Sequence, residues 1–367
     1  MQPHRSSATL LFGLYVLVVV YASLYPFSDW RDQGLSALGY LWAPWPRYWN
    51  QFDTFANFLG YAPLGFLGCL ALLRTTVLPQ PVLLTAAFAS ALSMTLEASQ
   101  TYLPTRVPAV SDWLLNSAGA LTGAALASAL ERWGVINHWS RFRARWFEAD
   151  ARAPLVLLVT WPIALLFPAP VALGLGQVFE RLETALTLAL VDTPFLQWLP
   201  VREIELQPLV PLGEVICVAL GLLAPCLLGM AVVRNWSRRA MLLVAVCALS
   251  VMATALSSAL SYGPEHAWAW WSSAVATGWL LGLCAAVLCS GLARRACLTM
   301  LLVALVWQLS LINLVPSTPY FAQTLQSWEQ GRFIRFHGLA QWLGWLWPYA
   351  TVLLAALRLS QRETLRL

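Results

Sequence analysis

Glu97 and Gln100 lie three residues apart, and Asp112 and Asn116 four apart, so each pair shares a face if its segment is helical. Upstream, Asp53, Asn57 and Tyr61 recur every fourth residue and fall on one helical face in the same way. Arg106 lies between the first two pairs. Carboxylates, amides and one guanidinium in this pattern suit two kinds of chemistry. Together they would hold an anionic or hydrogen-bonding headgroup. Alternatively, Glu97 and Asp112 would serve as an acid–base pair, with Arg106 clamping an anion. Gly119 and Gly123 continue the Asp112–Asn116 stripe at the spacing that lets two helices pack closely.

The elements that position these residues follow from the composition. The chain has 367 residues, 59% of them hydrophobic and only 11% charged, with a mean hydropathy of +0.65. A soluble domain carries about 25% charged residues. So little polar surface excludes a soluble globule, a disordered chain and a nucleic-acid binder, and it points to an integral membrane protein. All 22 basic residues are Arg. Without Lys there is neither Schiff-base chemistry nor a P-loop. The seven Cys sit in or beside apolar runs and read as small buried hydrophobes, and the four His form no metal-ligand spacing. Neither a metal nor a cofactor is expected.

Apolar runs of about 20 residues predict an all-α polytopic bundle of about ten spans. They fall near 8–27, 53–73, 80–102, 111–130, 154–173, 211–233, 240–262, 266–290, 297–315 and 338–358. With both termini cytoplasmic, fifteen Arg fall in inner segments and seven in outer ones, in accord with the positive-inside rule. The first span reads as a retained anchor rather than a cleaved signal. Trp30, Trp42, Trp45 and Trp49, with Trp268, Trp270 and Trp271, read as outer interfacial anchors.

Residues 131–153 are basic and aromatic, and predict an amphipathic helix on the inner surface. They separate a four-span unit, 1–130, from a six-span unit, 154–367. Two outer segments, 174–209 and 316–337, mix charged and aromatic residues, and each reads as an interfacial anchor or as a lid.

This tiling gives the polar residues a depth. At about 1.5 Å per residue, Asn57 and Asn116 lie roughly 6 Å below the outer starts of their helices, and Glu97 roughly 8 Å below the end of its own. Three helices thus bring amides and a carboxylate to one level under the outer headgroups. Structural roles compete at each position. Asp53 and Ser111 stand where N-caps belong. Asn57 and Asn116 also fit as interhelical hydrogen-bond partners. A carboxyl at the depth of Glu97 must be paired or protonated, and Arg106 is the nearby cation.

The run Glu97, Gln100, Pro104-Thr105-Arg106, Asp112, Asn116, Gly119 and Gly123 resembles the VanZ-like family. So does the upstream set Asp53, Asn57, Pro63 and Gly65, although many relatives carry His at the position of Asn57. The resemblance covers about residues 10–130. It implies a bacterial cell-envelope protein of the inner membrane, linked to low-level resistance to teicoplanin-type glycopeptides, and it brings no reaction, substrate or cofactor with it.

Three classes of function fit. In the leading one, a non-catalytic envelope protein engages a lipid or a lipid-linked precursor through Asp53, Asn57, Glu97, Gln100, Arg106, Asp112 and Asn116. The second is an enzyme acting on a lipid-linked phosphate or sugar, with Glu97 and Asp112 as candidate catalytic residues. The third is a transporter or lipid flippase; against it, the two halves show no convincing repeat, and the one charged residue that approaches the midplane, Glu214, falls near the outer start of span six.

Overall fold

The computed structural model describes residues 7–25, 27, 29–45, 51–75, 79–167, 169–199, 206–233, 235–316 and 334–361, with side chains except at 7, 51–53, 75, 136, 137, 139, 140 and 334–339. Apart from one isolated bridge between Phe147 and Val233, the ordered elements among these residues are helices. They fall into two compact units, Met1–Arg145 and Trp146–Leu367.

The first unit contains α1 (Ser7–Leu24), α2 (Gln51–Thr75), α3 (Pro81–Gln100), α4 (Val110–Arg132) and most of α5 (Val135–Trp146). α2 and α4 make its tightest pair, α3 lies against both, and α1 packs on α2 and α3. Glycine makes the central pair possible. A Cβ on Gly119 would stand 2.1 Å from the Phe58 carbonyl oxygen, and one on Gly123 would stand 1.9 Å from that of Ala62. Gly65 returns the contact, with Ala120 O 1.9 Å from its would-be Cβ. The backbones of α2 and α4 therefore touch, with no room for a side chain between them.

The second unit holds α6 (Arg152–Ala164), α7 (Phe179–Leu190), α8 (Pro211–Met230), α9 (Trp236–Tyr262), α10 (Ser273–Cys289), α11 (Arg294–Ile312) and α12 (Ile334–Ser360). Beyond Glu214 in its first turn, α8 is apolar all round and forms the axis, packed by α6, α9, α10 and α11. Gly278 and Gly282 of α10 repeat the device of α4. Their would-be Cβ atoms lie 2.5 Å from Val215 O and 2.7 Å from Ala219 O on α8.

Among the described residues six helical stretches are long and apolar enough to cross a membrane: Thr54–Arg74, Pro81–Gln100, Val110–Arg132, Pro211–Met230, Trp236–Tyr262 and Arg294–Ile312. Ala8–Leu24, Arg152–Ala164 and Ser273–Cys289 are shorter apolar helices. Two expected spans begin or end differently. The span expected over 154–173 stays helical only to Ala164: α6 accommodates Pro162, and the sequence beyond it adds two more helix-breaking residues, Pro168 and Pro170. The span expected from 266 becomes α-helical at Ser273, after a 3-10 turn over Pro264–His266.

α5 is amphipathic, with Arg141, Arg143 and Arg145 along it. α7, within the expected segment 174–209, buries none of its residues. Most of the expected segment 316–337, and Trp49, lie outside the described residues.

Candidate functional site

α3 and α4 face each other through a ladder of side-chain bonds. At the lowest rung, Ser90 Oγ accepts from Trp113 Nε1 at 3.1 Å and lies 2.9 Å from the hydroxyl of Ser117. One turn higher, Asn116 Nδ2 donates to Ser93 Oγ at 2.9 Å. At the top, Glu97 Oε2 accepts from the backbone N–H of Ala109 at 3.0 Å. Ser90, Ser93 and Glu97 recur at i, i+3 and i+7, one stripe of α3. Ala109 is the N-cap of α4 and has no side chain with which to cap it. Glu97 reaches across to supply both the missing acceptor and a negative charge at the positive end of α4.

Gln100 and Arg106 serve the end of a different helix. Gln100 Nε2 donates to Ser23 O at 3.0 Å, and Arg106 Nη2 donates to Tyr25 O at 2.8 Å and to Ala22 O at 3.4 Å. These carbonyls belong to the last turn of α1 and to the residue after it, where no helical N–H is left to meet them. A guanidinium there also matches the negative end of the helix.

Two buried polar atoms at the middle rung have no protein partner. Asn116 is 4% exposed and Tyr61 5%, yet neither Asn116 Oδ1 nor the Tyr61 hydroxyl is hydrogen-bonded. The Tyr61 hydroxyl lies beside Ser93 without the geometry of a bond, so both orphans belong to the layer between α2, α3 and α4. Leaving such groups unmet costs about 1–3 kcal/mol each. Asn57 is half-buried on α2, one turn before Tyr61. Asp112 stands in the first turn of α4 and accepts from Ser111 Oγ at 3.4 Å. The side chain of Asp53 lies outside the described residues.

The segment before α2 covers the top of this layer. Gln33 Nε2 donates to Thr101 O at 2.7 Å, Arg31 N to Tyr102 O at 3.0 Å and the Tyr40 hydroxyl to Met94 O at 3.2 Å. Burial, and then the Glu97 charge, push the Tyr40 phenol above its usual range. Trp30, Trp42 and Trp45 of the same segment stay exposed.

A second polar centre, in the other unit, is one that sequence reasoning missed. Residues 165–167 and 169–178 are non-helical, and Val171 and Leu173–Gln177 among them are buried. The missing helical bonds are replaced by amide side chains of α11 and of the residue that follows it. Gln308 Nε2 donates to Leu173 O at 2.9 Å and Asn313 Nδ2 to Gly176 O at 3.1 Å, while Asn313 Oδ1 accepts from Val178 N and Phe179 N, both at 3.0 Å. Leu173 takes φ 60° and Gly176 φ 96°, which gives the segment its sharp turns. The one signal in the sequence is the pair of amides in an otherwise apolar run.

Helices of this length and apolarity, with short polar ladders between them, define a multi-pass membrane protein. Its residues 11–131 match the model of the VanZ/LLP1 family, so the N-terminal segment is VanZ-like. No curated protein and no solved structure matches the chain.

Proposed function

We propose that the VanZ-like segment holds the headgroup of a lipid or lipid-linked envelope precursor between α2, α3 and α4, without turning it over. In this proposal the chain is a multi-pass protein of the bacterial inner membrane. Both termini are cytoplasmic, residues 1–130 form the binding unit, and the work bears on tolerance of teicoplanin-type glycopeptides. The carrying observation is the pair of unmet buried atoms, Asn116 Oδ1 and the Tyr61 hydroxyl, in one layer. A ligand hydroxyl or amide entering that layer would satisfy both. Glu97, Gln100 and Arg106 support the layer from its rim by fixing the ends of α4 and α1. An acid–base role for Glu97 is less well supported, since its Oε2 already accepts from Ala109.

The test pairs Asn116→Ala and Tyr61→Phe. Both variants should fold, lose the lipid that co-purifies with the native protein in mass spectra, and lose the effect on teicoplanin susceptibility. Two folded variants with unchanged lipid and unchanged susceptibility would place the working site elsewhere.

The non-helical stretch 169–178, buried at Val171 and Leu173–Gln177, favours a second reading, a transporter or flippase. Non-helical backbone at membrane depth is tolerated where it is enclosed by protein or lines a cavity.

A further inference from the structure

The segment that breaks after α6 lines a cavity of about 390 Å³ within the second unit. Its wall is made by Leu165, Phe167 and residues 169–173, by Glu214 in the first turn of α8, by Thr254, Ser257, Ser258 and Tyr262 of α9, and by His266, Trp270 and Val275 around the start of α10. Such a volume lies within the range of about 300–1,000 Å³ typical of small-molecule sites.

The wall has a definite chemistry. Glu214 brings a carboxylate, and among the described residues no cation pairs with it. Its nearest hydrogen-bonding neighbour is the Ser272 hydroxyl, 3.5 Å from Oε1, which also caps α10 by accepting from Val275 N at 3.1 Å. Ser257 and Ser258 donate their protons to Leu166 O and His266 O, so their remaining capacity is as acceptors. The C-terminal, negative ends of α6 and α9 meet this wall. Trp270, Tyr262 and Phe167 add aromatic faces, which attract a cation. Among the described residues of the wall, the titratable side chain besides Glu214 and Tyr262 is His266, which turns Nδ1 toward Glu265 at 3.4 Å.

Positive features share the same wall: the N-terminal ends of α8 and α10 border it, and Trp270 Nε1 and Thr254 Oγ1 are buried there without partners. A bare cation would leave these donors unmet. A bare anion would face Glu214.

We propose that this cavity binds a zwitterionic amine–phosphate group, its primary ammonium at Glu214 and its phosphate oxygens toward Trp270 and Thr254. The group can come from the headgroup of an ethanolamine phospholipid or from soluble phosphoethanolamine. The site is independent of the layer between α2, α3 and α4.

The experiment uses the full chain in detergent. Thermal unfolding and native mass spectrometry are read with phosphatidylethanolamine, phosphatidylglycerol, phosphatidylcholine, free phosphoethanolamine and inorganic phosphate. Phosphatidylethanolamine should bind at least about tenfold more tightly than the other two lipids, because one lacks the ammonium and the other lacks its N–H donors. Glu214→Gln should abolish that preference, and Glu183→Gln, on α7 away from the cavity wall, should keep it. A shift with free phosphoethanolamine but none with its lipid assigns the same site to the soluble source. Equal binding of phosphatidylglycerol, or no response to either ethanolamine compound, overturns the proposal, and both results come from the native protein even if Glu214→Gln fails to fold. A folded Glu214→Gln that keeps the preference overturns it as well.

Discussion

The two units use the same small set of polar side chains for opposite purposes. In the first, Glu97, Gln100 and Arg106 finish helices: they meet the open N-terminus of α4 and the open C-terminus of α1. In the second, Gln308 and Asn313 replace a helix, holding a buried stretch of chain that has none. Glycine does the same work in both, pressing α4 on α2 and α10 on α8. The difference teaches that a polar residue in an apolar span has a backbone to answer to before it has a ligand. Function is better sought in atoms left over, such as Asn116 Oδ1 and Trp270 Nε1, than in every polar residue that the spans contain.

Breaking the glycine contact should have the largest effect. Leu at Gly123 would put its Cβ about where the Ala62 carbonyl oxygen stands, 1.9 Å away and on rigid backbone. The cost exceeds the ~1–3 kcal/mol of ordinary overpacking. Gly123→Leu should therefore yield little monodisperse protein by size-exclusion chromatography. Gly60→Leu on α2, where nothing lies within 4 Å, should be purified at the native yield.

Next in size is Asn313→Leu. It removes the acceptor of two backbone N–H groups, Val178 and Phe179. At about 1–3 kcal/mol for each stranded group, the loss is about 2–6 kcal/mol. Gly176 O keeps the Tyr349 hydroxyl at 3.1 Å, so the segment should loosen at its end next to α7 first. Hydrogen exchange should rise at 176–180 while the helices of the first unit stay protected.

How far these roles are legible in the sequence follows from distance along the chain. The α3–α4 pair is local: Glu97 and Ala109 are twelve residues apart, so helical periodicity alone puts Glu97 and Asn116 on facing stripes of α3 and α4, one rung apart rather than at the single level expected. The helices themselves are legible from apolar length. What the bonds of Gln100 and Arg106 do is not, because their partners in α1 lie 77 to 84 residues away. Gln308 and Leu173 are 135 residues apart, and periodicity carries no information over that separation. Pro168 and Pro170 are a signal for the end of α6, but α6 accommodates Pro162, and continuous apolarity through Leu175 outweighs the signal in a reading by hydropathy.

Glu97→Gln is the finer test of the first unit. The amide oxygen of Gln still accepts from Ala109 N, and what is lost is the charge at the positive end of α4, worth about 1–2 kcal/mol in a buried setting. A modestly lowered apparent Tm with lipid retention intact is expected, whereas Asn116→Ala should lose the lipid with a similar Tm. If Glu97→Gln instead loses the lipid at native stability, the carboxylate is part of the binding layer and not only its support.

The smallest effect is expected at Asp150, and it depends on pH. Asp150 stands just before α6, and its carboxylate is bound by Arg294, the first residue of α11, and by Arg358 Nη1 at 3.4 Å near the end of α12. Arg294 begins a helix whose positive end it would otherwise repel, and Asp150 offsets both charges. Burial pushes the Asp150 carboxyl up, but the bond from Arg294 and the charges of Arg358 and Arg294 outweigh it and hold the group below its usual range. A folded-state pKa below the unfolded one stabilises the fold at pH values above the unfolded value of about 3.9, and that contribution fades as pH falls through the folded value. Asp150→Asn should thus lower the apparent Tm at pH 7 by a small amount, corresponding to less than about 1 kcal/mol for a carboxylate that is half exposed. The gap between native and variant should close as the pH is taken below about 4. A gap that stays constant into acid would mean that the backbone bond from Arg358 to Asp150 O, which Asn retains, and the packing around it hold these helix ends, with the ion pair adding nothing.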